Sequence, residues 1–297
     1  MPGVTKPHYR LALVAIAGAL YPALSRAQAW LPQEGTSSYS IDYNDTSSIH
    51  HFLPNGDELD AGHTRSFTTD LSVSYSPSDR VSLSASLPYV TTAYHGSRPH
   101  PTEVDDGDYH STLTDLRIEA HCQAINGPFA VAPYAAYIIP THGYETLGHA
   151  APGRGLQELV IGTFVGKSLD LWLPRTYLQA RFSYAFVEVV AGVKHDHINA
   201  DFEIGYFATP RWSVRGMVYW QDTDGGIPVP IPRSNPLYPY HDRLAAVRYL
   251  NVGAGTAWSL SDHMSLYALY ATAVRGENGH ELDRSVSIGL GYGFGPR

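Results

Sequence analysis

Residues 197–221, HINADFEIGYFATPRWSVRGMVYWQ, alternate between apolar and polar side chains with a period of two residues. Ile198, Phe202 and Ile204 fall on one side of an extended chain, whereas Asp201 and Glu203 fall on the other. A period of two is the spacing of a β-strand, in which successive side chains point to opposite faces of the sheet. The stretch therefore predicts two strands, joined by the turn sequence ATPR, whose two faces lie in different surroundings.

The same alternation recurs along the chain in twelve segments. They are residues 39–43, 66–75, 81–89, 115–122, 129–139, 159–165, 178–186, 198–206, 212–221, 250–258, 264–274 and 285–294. Residues 129–139 differ from the others because they are apolar on both faces. Repeated segments of this kind, separated by turn-forming residues, predict an all-β fold.

The connections between these segments alternate in length. Five are short and rich in turn formers: SPSD (76–79), NGP (126–128), SLDLWLP (168–174), ATPR (208–211) and SLSD (259–262). The six others are mostly long: residues 44–64, 95–112, 142–157, 190–197, 222–247 and 275–283. Short turns at one end and long loops at the other are typical of a bacterial outer-membrane barrel. We therefore predict a closed antiparallel transmembrane β-barrel of about twelve strands, with short periplasmic turns and long external loops.

The N-terminus predicts export from the cytoplasm. Two basic residues precede an apolar run at 11–24, and the small-residue motif AQA follows at 27–29. This order is typical of a cleaved signal peptide. The alternative is an N-terminal membrane anchor, but the run is shorter than the roughly 20 residues of a spanning helix, and Pro22 interrupts it. The predicted organisation is a signal peptide at 1–29 and an outer-membrane barrel of a Gram-negative bacterium at 30–297.

A soluble β-sandwich is the competing fold, since its strands also alternate. Charged residues make up only 16% of this chain, and Lys6, Lys167 and Lys194 are the only lysines. Soluble domains carry roughly 25% charged residues. Aromatic residues also fall at predicted strand ends, where a barrel meets the two membrane interfaces: Tyr75, Tyr89, Trp212, Trp220, Trp258 and Phe294. In lipid every backbone group must bond within the protein, so such strands require a closed barrel.

Several blocks of sequence, in order, resemble one known family. They are LPQEGTSSYSIDY, DRVSLSASLPYV, TDLRIEAH, GPFAVAPYAAYIIPTH, NADFEIGYFATPRWSV, RYLNVGAGTAWSLSD and SIGLGYGF. The chain is similar to the outer-membrane transporters named for the meta pathway of phenol degradation. The resemblance implies a channel-like barrel, sometimes found beside aromatic-degradation genes. It differs at the C-terminus, where three residues follow Phe294, although the assembly machinery commonly reads a terminal aromatic residue.

Eleven polar residues fall on the predicted inner face of the barrel. They are Asp70, Asp115, Arg117, Glu119, His121, Arg181, Asp201, Glu203, Arg215, Tyr219 and Asn251. Lining groups of both signs set selectivity in a passage, but the same groups could close it by salt bridges. Eight strands fill their own interior and 16 to 18 leave an aqueous channel, so twelve strands leave both readings open.

The predicted partners follow from this reading. They are a small-molecule solute that passes by diffusion, with aromatic or hydrophobic compounds as candidates, together with outer-membrane lipid, lipopolysaccharide and the barrel-assembly machinery. No cofactor is needed, and the net charge of −8 argues against a nucleic-acid partner. The motifs of serine hydrolases, zinc proteases and phosphate-binding loops do not occur in the sequence, so we do not expect an enzyme.

Twelve of the 15 histidines fall in the predicted external loops: His50, His51, His63, His95, His100, His110, His142, His149, His195, His197, His241 and His280. Their spacing matches no structured zinc site, and a single cysteine excludes paired CxxC ligands. We therefore predict no metal site and expect solvated side chains. A closed binding barrel with metal-binding or adhesive loops is the alternative function. The proline-rich loop 222–247 could fold inward or stand out as a rigid lid.

Overall fold

Strand follows strand along the chain, with only two 3₁₀ turns among the described residues. The structure is a computed structural model and describes residues 29–96 and 100–296. The predicted signal peptide, residues 1–29, lies outside these residues except for Ala29. Within the described ranges no helix has both the length and the apolar character needed to cross a membrane.

Twelve strands form the barrel wall, and they are numbered here in chain order. They are β1 Ser37–Ser48, β2 His63–Ser78, β3 Val81–His95, β4 His110–Leu113 continued by Asp115–Cys122, β5 Phe129–Pro140, β6 Glu158–Ser168, β7 Thr176–Val187, β8 His195–Thr209, β9 Trp212–Gly225, β10 Arg248–Ser259, β11 Met264–Glu277 and β12 Arg284–Phe294. Strand β4 is interrupted at Thr114, and both of its parts pair with β3. Each of the twelve predicted segments is a strand.

The wall closes on itself. Each strand pairs antiparallel with its neighbours in sequence, and β1 also pairs with β12, from Ser37 opposite Phe294 to Ser47 opposite Arg284. Closure gives every wall strand a partner on both sides, as lipid requires of a β-structure. The predicted closed antiparallel barrel of twelve strands is therefore confirmed.

Strand faces follow the sequence alternation. On β8, Phe202 and Ile204 are 47% and 49% exposed, whereas Asp201 and Glu203 are 8% and 6% exposed. Exposed apolar side chains beside buried carboxylates are the reverse of the arrangement found in soluble proteins. This pattern identifies the outer face as the lipid face. Trp212 on β9 and Trp258 on β10 are both exposed at their strand ends, with parallel rings 5.9 Å apart.

Five of the six long connections are shorter than predicted, because the strands extend into them, and the connection after β5 is one residue longer. They cover residues 49–62, 96–109, 141–157, 188–194, 226–247 and 278–283. His195 and His197 show the error, since both were predicted in an external loop. They begin strand β8 and are only 2% and 6% exposed. The strand tips carry polar residues on both faces, so the alternation of polarity disappears there before the strand ends.

One side of the interior is filled by an apolar core. It contains Ala130, Ala132, Tyr134 and Ala136 of β5, Val160 and Phe164 of β6, Ala185 and Val187 of β7, with Ala29, Leu156, Ile227 and Leu244. This core explains why residues 129–139 are apolar on both faces, one facing lipid and the other facing the core. Leu244 belongs to the proline-rich loop and is fully buried, so that loop folds inward.

Outside the wall, the external loops form structure of their own. The short strands His51–Phe52, Glu58–Leu59 and Gly279–His280 make a small antiparallel sheet. Several loop histidines expected to be solvated are instead buried, among them His51, His100 and His149. The expectation failed because the loops pack against one another, and nothing in the local sequence of a single loop signals that contact.

Candidate functional site

The inner face carries a group of fixed charges that we call the charge belt. It consists of Arg117, Glu119 and His121 on β4, Arg181 on β7, Asp201 and Glu203 on β8, and Arg215 on β9. All seven are among the residues predicted from the sequence. They are buried or partly buried, and they alternate along their strands with apolar side chains of the outer face.

Three members of the belt lie in a row on β4. Arg117 and His121 both contact the carboxylate of Glu119, which lies between them at a spacing of two residues each way. Residues two apart in a strand share a face, so the sequence spacing alone brings these three side chains together. The His121 ring also lies 5.1 Å from the ring of Phe164 on β6. Strand β5 separates β4 from β6, so this contact is made across the interior.

The second part of the belt joins β7 to β8. Arg181 and Asp201 are opposite one another in the strand register and form an ion pair. Arg181 also lies close enough to Glu119 to interact with it electrostatically, which links the two parts of the belt across the interior. Positive and negative groups therefore alternate along this side of the barrel.

Glu203 is the best-connected carboxylate of the belt. Tyr177 donates its hydroxyl to Glu203 Oε1 at 2.6 Å, and Gln179 donates its amide nitrogen to the same atom at 3.0 Å. Arg215 Nη1 lies 3.7 Å from Glu203 Oε2, and these two side chains are only 8% and 5% exposed. The guanidinium of Arg215 also lies 5.6 Å from the centre of the Tyr267 ring on β11. Arg215 is thus held between a carboxylate and an aromatic face.

A carboxylate pair lies on the opposite side of the interior. Asp70 of β2 is directly opposite Asp42 of β1, and Ser40 donates its hydroxyl to Asp42 Oδ2 at 2.9 Å. Asp70 was predicted as an inner-face residue, whereas Asp42 was missed. The signal was present, because Asp42 lies between Ile41 and Tyr43 in the first alternating segment. Tyr177, Gln179 and Tyr267 were missed as well, although each lies on the polar side of its strand.

Three predicted inner-face residues are not among the seven members of the charge belt. Asp115 accepts a hydrogen bond of 2.5 Å from the Tyr144 hydroxyl, which ties it to an external loop. Tyr219 and Asn251 are opposite one another on β9 and β10. The Tyr219 hydroxyl donates to Met217 Sδ at 3.1 Å. Tyr219 nevertheless lies beside the belt, because it is opposite Asp201 of β8 in the strand register.

Small polar residues line the interior near the Asp42–Asp70 pair. Ser40, Ser72 and Ser86 lie side by side on β1, β2 and β3, with Gly291 of β12 beside Ser40. The three serines remain partly exposed, although each lies within a strand paired on both sides. The alanines of the packed side, Ala130 and Ala132 among them, are fully buried. The interior is therefore asymmetric, with one filled side and one serine-lined side.

Comparisons with known proteins bear on the fold. No protein-family model matches the chain, and no curated protein matches it in sequence. The chain is similar to the crystal structure of an outer membrane channel from Pseudomonas putida F1, with 11% identity, coverage of 91% of this chain and 100% of that one, and a TM-score of 0.72. It is also similar to the β domain of the Bordetella autotransporter BrkA, with 12% identity, coverage of 88% and 100%, and a TM-score of 0.50. At such identities the likeness shows the fold, and the fold is the β-barrel of outer-membrane proteins.

Proposed function

We propose that this barrel is an outer-membrane channel that passes small molecules by diffusion. The observation that carries the proposal is the asymmetric interior. Ser40, Ser72 and Ser86 stay partly exposed on one side, whereas Ala29 and Leu244 of the inward loop are buried in the apolar core on the other side. A barrel of twelve strands encloses more space than its own inward side chains can fill. This supports a narrow passage along the serine-lined side.

The charge belt supports a selective channel rather than an open one. Its carboxylates and guanidiniums are held by one another and by tyrosine and glutamine donors, so they keep their positions without a solute. Fixed groups of both signs beside a narrow passage distinguish solutes by charge and by hydrogen bonding. Diffusion through such a passage needs neither a cofactor nor an energy source.

For the solute we propose small molecules that include aromatic compounds. The resemblance to transporters linked with phenol degradation supports this class. The pairing of Arg215 with the Tyr267 ring also supports it, because a planar ring can stack on a guanidinium or lie against another ring. The export signal at residues 1–29 and the contacts with lipopolysaccharide and the assembly machinery remain predictions of this proposal.

Conductance of the refolded protein in planar lipid bilayers tests the channel. We expect small, stable unitary currents, and we expect liposomes containing the protein to admit phenol and benzoate faster than empty liposomes. Ser72→Trp places a large ring on the serine-lined side and should reduce the current severalfold. Leu71→Trp is the matched control, because Leu71 is the next residue on the same strand and is 55% exposed on the lipid face.

A barrel with a closed lumen, acting by binding at its loops, is the alternative. It predicts no current and no solute entry for the unmodified protein under any condition. It also predicts that Ser72→Trp and Leu71→Trp behave alike, and equal currents from the two variants would refute the proposed passage even if leakage through the bilayer were observed.

A further inference from the structure

Two histidines from distant parts of the sequence are neighbours in the small external sheet. His51 is directly opposite His280 in the pairing of the short strands, and their ring centres are 4.0 Å apart. Side chains opposite one another in an antiparallel pair share a face and lie within contact distance. The backbone hydrogen bonds of this sheet therefore fix the two imidazoles beside each other.

Two further side chains complete a group of four around one point. His149 Nδ1 lies 3.1 Å from Asp242 Oδ2, and His280 Nε2 lies 3.8 Å from Asp242 Oδ1. One ligand atom from each of His51, His149, His280 and Asp242 can be chosen so that all four lie within 4.8 Å of one another. Ligand atoms around a tetrahedral zinc ion are about 3.4 Å apart, because the bonds are about 2.0–2.2 Å long. Binding of an ion would require the four atoms to move closer together, from a spacing of up to 4.8 Å to that distance.

Protein contacts alone do not satisfy the hydrogen-bonding capacity of these four side chains, and His51 is the clearest case. It is 8% exposed, and neither of its ring nitrogens has a hydrogen-bond partner among the residues that the structure describes. A buried polar group without a hydrogen bond is unfavourable, so such a group points to a missing partner.

We propose that His51, His149, His280 and Asp242 bind one divalent transition-metal ion of the zinc type. Three imidazoles and one carboxylate supply the nitrogen and oxygen donors that zinc takes, whereas Ca²⁺ and Mg²⁺ prefer oxygen alone. Four protein donors fill a tetrahedral shell, which is the pattern of a structural zinc site rather than a catalytic one. The site lies in the external loops and goes beyond the proposed channel function.

Surrounding contacts hold the ligands in place. Asp105 accepts the backbone N–H groups of His100 at 2.9 Å and His149 at 3.1 Å, which fixes one loop against another. The His149 ring stacks on Tyr94, with centres 4.4 Å apart. His100 Nε2 lies 3.2 Å from Asp242 Oδ2, which places a further imidazole against the carboxylate from outside the shell. Outer groups of this kind orient metal ligands and tune their affinity.

The ion would join four of the six external loops. His51 comes from residues 49–62, His149 from 141–157, Asp242 from 226–247, and His280 from 278–283. The third of these is the inward-folding loop, so metal binding would fix the position of that loop at the external mouth. The function of the site is therefore structural, as a link between loops that the chain itself does not connect.

Calorimetric titration of the refolded, tag-free barrel with zinc chloride tests the site. We expect one strong site with a dissociation constant in the micromolar range or below. His51→Gln and His280→Gln should each weaken that site by more than about 100-fold, a loss above that caused by outer-shell changes. His142→Gln is the matched control, because His142 is an exposed loop histidine bonded to two threonines outside the group, and its zinc affinity should be unchanged.

Cobalt substitution tests the geometry independently. Four-coordinate cobalt gives much stronger visible absorption than six-coordinate cobalt, so the unmodified protein and His142→Gln should show strong bands and His51→Gln should lose them. Absence of zinc binding by the folded barrel, or equal binding by all four proteins, would overturn the proposal. Heat-dependent gel mobility establishes that each variant is folded. If His51→Gln does not fold, His280→Gln takes its place in the cobalt experiment. Neither readout depends on transport, so failure here leaves the channel proposal intact.

Discussion

The pairing of Arg215 with Glu203 gives a sharp energetic prediction. Their charged atoms are 3.7 Å apart, and the two side chains are 8% and 5% exposed. At that distance and an effective dielectric constant of about 20, the attraction is about 4 kcal/mol. Glu203→Gln removes the charge but keeps an oxygen that can accept from Tyr177 and Gln179. Because removal of one partner of a buried pair typically destabilises by about 3–5 kcal/mol, we expect a loss of about 3 kcal/mol.

A double-mutant cycle separates the pairwise attraction from other effects of the substitutions. Glu203→Gln, Arg215→Met and the double variant would be unfolded by urea in lipid vesicles and followed by tryptophan fluorescence. We expect a coupling free energy of about 2–4 kcal/mol, because desolvation accompanies the attraction in both partners.

The exposed pair Arg211–Asp262 provides the control for that cycle. Its charged atoms are 3.6 Å apart, but the side chains are 66% and 65% exposed. An equivalent cycle there should give less than about 1 kcal/mol, because water screens exposed charges. The two distances are nearly equal, so burial is the variable compared. A coupling at Arg215–Glu203 no larger than that at the exposed pair would refute the assignment of a poorly solvated charge belt.

Three further predictions concern the wall, a loop and the whole barrel. An added Cβ at Gly289 would lie 2.0 Å from Tyr267, so Gly289→Ala should destabilise by about 1–3 kcal/mol in the urea assay, whereas Gly216→Ala, with 3.7 Å of space, should not. The hydrogen bond from His110, followed by that from the Asp108 backbone, lowers the pKa of Asp106. The lowered pKa of Asp106 stabilises the folded protein above the ordinary pKa of aspartate, and this stabilisation is lost as pH falls through the lowered pKa. His110→Ala should therefore raise the titration midpoint of Asp106 measured by NMR. An unchanged midpoint would contradict this prediction. Finally, the closed barrel should migrate differently in SDS gels before and after boiling, and identical mobility would contradict closure.

The wall was predictable because two simple constraints act on every strand. A period of two separates the lipid face from the interior, and the alternation of turns with loops orders the strands. Asp201 and Glu203 were therefore assigned to the inner face from sequence alone. Their partners were only partly predictable, since the ion pairs depend on strand register, which the alternation does not determine.

The loops were not predictable for a physical reason. His51, His149, Asp242 and His280 come from four loops, and no sequence spacing relates them. Their approach depends on contacts between loops, such as the Asp105 hydrogen bonds to two backbone N–H groups. The inward fold of residues 226–247 was equally hidden, because burial of Leu244 requires a core supplied by β5, β6 and β7.

Pairing of the first strand with the last sets the order in which this chain can assemble. Tyr39 and Tyr292 are partners in the register, although 252 residues of the chain lie between them. Until β12 has been synthesised, β1 has only one neighbour, and its free edge is exposed to pairing with other chains. Contacts so distant in sequence form slowly, because the loop between them must first be closed. The whole chain must therefore be available before the wall is sealed, and a truncation that removes β12 alone should leave a sheet prone to aggregation rather than a smaller barrel.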